Sequence, residues 1–360
     1  MIKISSKQKR TPIKKGIDPE EGKLRREDDM IKLRKTERDN RVAKRRQQMT
    51  ELPTEGMVVS CCGWNEGCIL GCSLNLIKRS TVFRTVPNLP RNIVSVAASS
   101  LNSLAVTGDG HVYSWGVNDN GQCGQPSEIE TVESPTLIKI NEKIIGVDAG
   151  ATHCLALSSD GNIHFFGSYR NSYDGKECCD LGVNEKDPPP SGRQYLPTKI
   201  FVPEKVVKIA CGSTFNAALL ESGRCLTWGL NLEGELGRIT EGNVDLNPTE
   251  VAWYDDDKLA KPNVQRKVLD IACGGNHILV VAARDGSSES SSSLYGSGNN
   301  EYGQLGLDCM SSLLNAKTAL DETNVLLLTK VHITLSFSLS ATRLKHFLLI
   351  QLFKIVDSLF

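Results

Sequence analysis

Short apolar runs separated by glycine recur along most of this chain. In the clearest copy, VVKIACGSTFNAALLESGRCLTWG, the runs fall at 206–210, 216–220 and 225–228, with glycines at 212, 223, 229, 234 and 237. Runs of this length between turn residues predict strands, and glycine suits reversals in which a side chain would clash. The unit therefore predicts a short antiparallel meander. The same spacing returns without a gap at 94–116, where Gly110, Trp115 and Gly116 stand over Gly223, Trp228 and Gly229. It returns again at 145–167, with Gly150, Gly161, Phe166 and Gly167 in those places. A fourth copy starts at 269, takes a serine-rich insertion at 287–293 and resumes as LYGSGNNEYGQLG, and a partial copy, MVVSCCGWNEGCILG, opens the set at 57. Five units over 57–308, each with several strands, predict an all-β fold, a β-propeller of repeated blades.

The motif G-x-x-H-x-x-A-L followed by D-G-x-V-Y-x-W-G-x-N-x-x-G-Q-L-G resembles the repeat of the regulator of chromosome condensation family. Residues 150–157, 109–124 and 298–306 fit it best. GSYRNSYDG at 167–175 is similar to an irregular loop of the family's exchange factor for the small GTPase Ran. The resemblance implies seven blades, of which five are visible, and a nuclear guanine-nucleotide exchange activity toward Ran without covalent catalysis. It places the Ran-facing side chains just before the repeat histidine, where this chain has Leu101, Thr152, Thr214 and Asn276. None of these is ionisable. Arg170, Asn171, Asp174, Thr214, Asn276 and His277 are the Ran-facing candidates, with Asp174 three residues from the position where Asn171 replaces an acid.

Charge divides the chain. The formal net charge is +0, yet residues 1–50 hold 17 lysines and arginines against 8 acidic residues. A basic arm thus precedes a mildly acidic body, and the arm suits an acidic partner. A helix is expected from about Pro19 to Arg46, with Asp18 as N-cap and Glu20 and Glu21 in its first turn. Its apolar stripe is too thin to dock on a core. The order of residues resembles the importin-β-binding segment of importin-α, through Lys15, Gly16, Asp18, Glu21, Arg25, Arg26, Glu27, Leu33, Arg34, Lys35, Arg38, Lys44, Arg45 and Arg46. Departures fall at 22–24 and Ala43. By that resemblance, residues 1–50 bind importin-β through Arg25, Arg26, Leu33, Arg34, Lys35, Arg38, Lys44, Arg45 and Arg46, and carry the protein from cytoplasm to nucleus.

The remaining chemistry is sparse. His153 and His277 read as blade residues, each closing a loop through a backbone hydrogen bond, and Trp115 and Trp228 as blade packing. Asp148 and Asp160 read as turn residues, and where the family resemblance implies a loop that engages histones through arginines, this chain has only the isolated Arg238 and Arg266, which does not support that route. Twelve scattered cysteines, with Cys211 and Cys273 in one slot of two repeats, suit buried thiols of a reduced protein. Cys61, Cys62, Cys68 and Cys72 lack the paired spacing of a zinc site. No catalytic constellation, cofactor loop, metal site, small-molecule site or membrane span is read. After 308 the repeat stops, and residues 309–360 form an unassigned tail in which 341–360 could form an amphipathic helix bearing Leu344, Leu348, Leu352, Ile355 and Leu359. The chain reads as a form truncated within the propeller. Three functions follow: the Ran exchange factor, an inactive propeller scaffold imported by or regulating importin-β, and a chromatin protein whose arm contacts DNA phosphates.

Overall fold

The computed structural model describes residues 58–168, 192–253, 266–284, 292–306 and 324–330. All lie in the second of two units, Gly56–Phe360; the expected arm helix and the tail after 330 fall outside the described residues. A two-stranded pair comes first, β1 (Ser60–Trp64) with β2 (Arg79–Thr85). Four sheets of four antiparallel strands follow. The first holds β3 (Ile93–Ala98), β4 (Asn102–Thr107), β5 (Val112–Val117) and β6 (Thr131–Ile138). The second holds β7 (Ile144–Ala149), β8 (His153–Ser158), β9 (Ile163–Ser168) and β10 (Arg193–Ile200). In the third are β11 (Val206–Cys211), β12 (Phe215–Leu220), β13 (Cys225–Leu230) and β14 (Val244–Glu250). The fourth comprises β15 (Arg266–Cys273), β16 (His277–Arg284), β17 (Ser293–Asn299) and β18 (Asn324–Lys330). Spatial order equals chain order in every sheet, which makes each one a propeller blade.

The five expected units thus become four whole blades and a half. In the pair β1–β2, Gly63 has φ +123°, close to the +113°, +114°, +117° and +111° of Gly116, Gly167, Gly229 and Gly298 in the third strands. So β1 and β2 occupy the third and fourth places of a blade. The second strand of each blade is walled by neighbours on both faces, and every residue of β8 and β12 is buried. That is why these strands read as near-continuous apolar runs.

The fourth strands were not read from the sequence, because they are the half-exposed outer edges. Three of them carry a proline, Pro135, Pro197 and Pro248, each at the point where pairing with the third strand slips. Proline has no N–H to leave unpaired at such a bulge, and it blocks further strands from adding to the edge. In β18 the same place holds Leu328, whose N–H donates to Ala252 O at 3.1 Å in the connection from the third sheet.

Successive blades are stitched by one repeated bond. Ile144 N–H donates to Gly110 O at 3.1 Å, Val206 N–H to Gly161 O at 3.1 Å, and Val268 N–H to Gly223 O at 2.8 Å. A Cβ on Gly110 or Gly161 would sit 2.9 Å from the very nitrogen that donates, so glycine is required there. Between the second and third sheets Leu155, Ile163 and Phe165 pack with Val206, Ile209, Leu226 and Trp228. Trp115 and Trp228 are buried blade residues, as expected.

Candidate functional site

The loop joining first and second strands and the loop leaving the third strand meet at one end of every blade. Val117 N–H donates to Leu101 O at 2.9 Å, Ser168 to Thr152 O at 2.9 Å, Leu230 to Thr214 O at 3.0 Å and Asn299 to Asn276 O at 2.9 Å. The donor always follows the glycine of the W-G or F-G pair. A Cβ on Gly116 or Gly167 would lie 2.5 Å from the accepting carbonyl oxygen, and one on Gly229 2.6 Å from it. Leu101, Thr152, Thr214 and Asn276 are therefore fixed in equivalent places on one face. Neighbouring loops are also bonded to each other, Ala151 N–H to Ser213 O at 3.1 Å and Ser213 N–H to Gly275 O at 2.8 Å.

An asparagine holds the second set of loops. Asn65 Oδ1 accepts from Leu70 N–H at 2.8 Å, Asn118 from Cys123 at 3.1 Å, Asn231 from Leu236 at 3.0 Å and Asn300 from Leu305 at 3.0 Å. Beside it sits a glutamine: Gln122 Oε1 accepts from Asn120 N–H at 2.9 Å, and Gln304 Oε1 from Tyr302 N–H at 2.9 Å. In the third blade the same place holds Glu235, whose Oε2 accepts from Glu233 N–H at 2.8 Å. Glu235 is buried, and that burial pushes its carboxyl up to about 7. The sequence does not single it out. Glu233 reaches onward to the fourth blade, accepting from Asn299 Nδ2 at 3.2 Å.

In the second blade the residue opening the second strand bridges to the third blade. His153 Nε2 lies 2.8 Å from Asn216 Oδ1, which assigns the ring proton to Nε2, and the ring stacks on Phe165 at 5.7 Å. The expected backbone bond is thus replaced by a side-chain bond to a neighbouring sheet, a partner set by blade register and invisible within one repeat. Burial pulls His153 down to about 4, so the ring is neutral near pH 7. His277, in the same slot of β16, is buried as well.

One further expectation is corrected. Asp148 is not in a turn; it lies in β7 and its Oδ2 accepts from Cys211 N–H at 3.0 Å across the joint between sheets. Arg238 is buried, paired with Asp245 at 2.7 Å and donating to Thr227 O at 2.9 Å. Arg266 stacks at 5.5 Å from the Trp253 ring and 4.8 Å from that of Tyr295. Asp148, Cys211 and Cys273 line a central cavity of about 300 Å³ with Ser99, Ser100 and Ser213, between the ends of the first strands. Asp160 sits in a turn, as read.

Of the Ran-facing candidates, the structure brings Thr214, half-buried, and Asn276, exposed, onto the loop face, with His277 beneath. Arg170, Asn171 and Asp174 lie outside the described residues, as do all the importin-β-binding candidates of the arm. Among the described residues no helix is long and apolar enough to cross a membrane.

Comparison with known proteins agrees with this architecture. The regulator of chromosome condensation (RCC1) repeat matches residues 109–157 and 222–281, a second description of that repeat matches 93–122 and 206–235, and the importin beta binding domain matches 10–60. The human regulator of chromosome condensation is 29% identical over 189 residues, 52% of this chain and 42% of that protein. Human protein RCC2 is 31% identical over 234 residues, 60% of this chain and 41% of that protein. The chain therefore spans about two fifths of the length of these relatives. The structure of Prp20p from Saccharomyces cerevisiae, described with its binding properties to Gsp1p and histones, superimposes with a TM-score of 0.60 at 22% identity, over 81% of this chain and 62% of that one. The chain therefore carries regulator of chromosome condensation (RCC1) repeats within 93–157 and 206–281, folded as β-propeller blades, and a segment at 10–60 that matches the importin beta binding domain.

Proposed function

We propose that this protein is a nuclear guanine-nucleotide exchange factor for Ran, delivered by importin-β bound to its own N-terminal segment. The observation that carries the reading is the single loop face, on which the positions of Leu101, Thr152, Thr214 and Asn276 are locked by the same backbone bond in four successive blades. A rigid surface is what exchange requires. The factor must bind the nucleotide-free GTPase more tightly than the loaded form, and a ligand that prefers one state shifts the population toward it. Proton transfer and nucleophilic attack are not involved. Prp20p, a relative in fold, is described by its binding to Gsp1p and histones, which supports a GTPase as the class of partner.

The arm supplies delivery. Its importin beta binding match covers every basic residue assigned to that role, from Arg25 to Arg46. Full-length chain should accelerate release of labelled GDP from Ran and retain importin-β in a pull-down. Changing Leu33, Arg34 and Lys35 to alanine should abolish the second and spare the first. GDP release at the spontaneous rate would overturn the exchange-factor reading.

One observation favours a second reading. The described loop tips bear no ionisable group at the four family positions, so a propeller that binds importin-β without catalysing exchange is the alternative. Importin-β retention with no gain in GDP release would select it. Chromatin is a further partner on this proposal, through the basic arm; binding of DNA by the full chain that weakens steeply with salt would support it.

A further inference from the structure

Each third-place strand and the loop leaving it hold two positions that the blade brings together, and the half-blade fills both with sulfur. The first lies two residues before the glycine of positive φ: Cys61 in β1, Ser114 in β5 and Thr227 in β13. Its side chain donates to the loop backbone, Ser114 Oγ to Cys123 O at 2.6 Å and Thr227 Oγ1 to Leu236 O at 2.7 Å. Cys61 Sγ makes the same bond to Leu70 O at 3.2 Å. The second position lies nine residues after that glycine and holds Cys72, Gln125 and Arg238. In the third blade the side chain at the second position returns to the first, Arg238 donating to Thr227 O at 2.9 Å. The register of the blade therefore sets Cys72 beside Cys61.

The loop between them is tightly held. Buried Asn65 accepts from Leu70 N–H at 2.8 Å and donates to Cys72 O at 2.8 Å and to Ile77 O at 2.7 Å. Trp115 Nε1–H donates to Ile69 O at 2.9 Å from the first blade. A Cβ on Gly71 would lie 2.8 Å from Val86 Cγ1, so the backbone just before Cys72 is pressed against its neighbours. Electrostatics agree with this placement: burial pushes the Cys61 thiol up, Cys72 pushes it further, and the adjacent Cys62 adds less. Cys61 and Cys72 are both half-buried, within reach of a small reagent, whereas Cys68 is buried and Cys62 is exposed on the other face of the strand.

We propose that Cys61 and Cys72 are a thiol–disulfide site, closed by a small-molecule disulfide and reopened by the thiol it yields. The Cys72 thiolate, whose Sγ accepts from Asn65 Nδ2 at 3.8 Å, attacks one sulfur of the reagent. The reagent's S–S bond breaks, and one thiol leaves with the proton that Cys72 gave up. The Cys61 thiolate then attacks the Cys72 sulfur and expels the second thiol, so the protein sulfurs lose two hydrogens and two electrons to the reagent. Closure removes the Sγ–H that donates to Leu70 O and leaves the loop held by Asn65 and Trp115.

The full-length chain is to be held in oxidised glutathione, its free thiols blocked with N-ethylmaleimide, and its chymotryptic peptides weighed without reduction. Cleavage after Trp64 and Leu70 puts Cys68 and Cys72 on separate peptides. The expected product joins the peptide of Cys61 and Cys62 to that of Cys72; it is lost in Cys61→Ser and in Cys72→Ser, kept in Cys62→Ser, and cleared by reduced glutathione. Cys61→Ser supplies the hydroxyl that Ser114 already uses, so the bond to Leu70 O survives and loss of the link reports chemistry rather than folding. In the closed form Cys72 should be alkylated at least about tenfold more slowly than in the reduced form. A link that survives Cys61→Ser, a link from Cys72 to Cys68, or glutathione adducts or free thiols with no internal link would each overturn the site.

Discussion

The joint between the second and third blades and the joint between the third and fourth use the same two positions with opposite chemistry. At the first, His153 is bonded to Asn216 at 2.8 Å; at the second, Phe215 and Ile278 share an apolar cluster. Backbone geometry around the two is the same: the loops are tied by Ala151 to Ser213 and by Ser213 to Gly275, and the following strands start from equivalent bonds. The blades are therefore held in register by the backbone, and the side chains at the joint decide only how the contact responds to pH and to substitution.

The largest effect should come from attacking the shared backbone. Gly229→Ala places a Cβ 2.6 Å from Thr214 O at a residue with φ +117°, and urea denaturation should show a loss of about 4 kcal/mol. Gly146→Ala, where a Cβ meets nothing within 4 Å, should stay within about 0.5 kcal/mol.

The next effect separates the joints by pH. His153 has a folded pKa of about 4 against an ordinary value of 6.5, so below 6.5 the unfolded chain takes up a proton that the folded chain refuses. Its contribution is whole above pH 6.5 and falls by about 3 kcal/mol as pH drops from there toward 4. Glu235 works the other way, raised from 4.5 to about 7, so its contribution is whole below 4.5 and is lost as pH rises through 7. Denaturation measured against pH in a Glu235→Gln background should expose the histidine window, and His153→Phe/Asn216→Ile should remove it.

That double change tests the equivalence of the joints directly. His153→Phe alone leaves Asn216 buried without its partner and should cost about 2 kcal/mol, and adding Asn216→Ile should recover at least half of it. Additive losses would show that the two joints differ in backbone as well as in side chain. A smaller effect is a gain: Glu235→Gln restores the residue of Gln122 and Gln304 and should stabilise the chain by about 1 kcal/mol at pH 7.5.

Much of this was legible in the sequence, for physical reasons that also explain what was not. The second and third strands of each blade are enclosed by neighbours, so β12 and β13 appear as apolar runs, and the glycines of each W-G pair mark a backbone approach that no side chain survives. The fourth strands are edges whose exposed faces and prolines hide them. The partner of His153 lies 63 residues away, fixed by how one blade meets the next, and Asp148 looked like a turn residue because its bond also crosses a joint. Repeat spacing puts Thr214 and Asn276 at equivalent loop positions, where the same backbone bond holds each, whereas Glu235 is not singled out because a glutamate in an exposed-looking loop gives no sign of its burial.

The central claim is that the loop face selects one state of a GTPase. The most direct measurement is the affinity of the full-length chain for nucleotide-free Ran and for GDP-loaded Ran, side by side, with Asn276→Arg as a probe of the face. The account predicts tighter binding to the nucleotide-free form and weakening of that binding by Asn276→Arg. Equal affinity for both forms, or binding indifferent to Asn276→Arg, would contradict it.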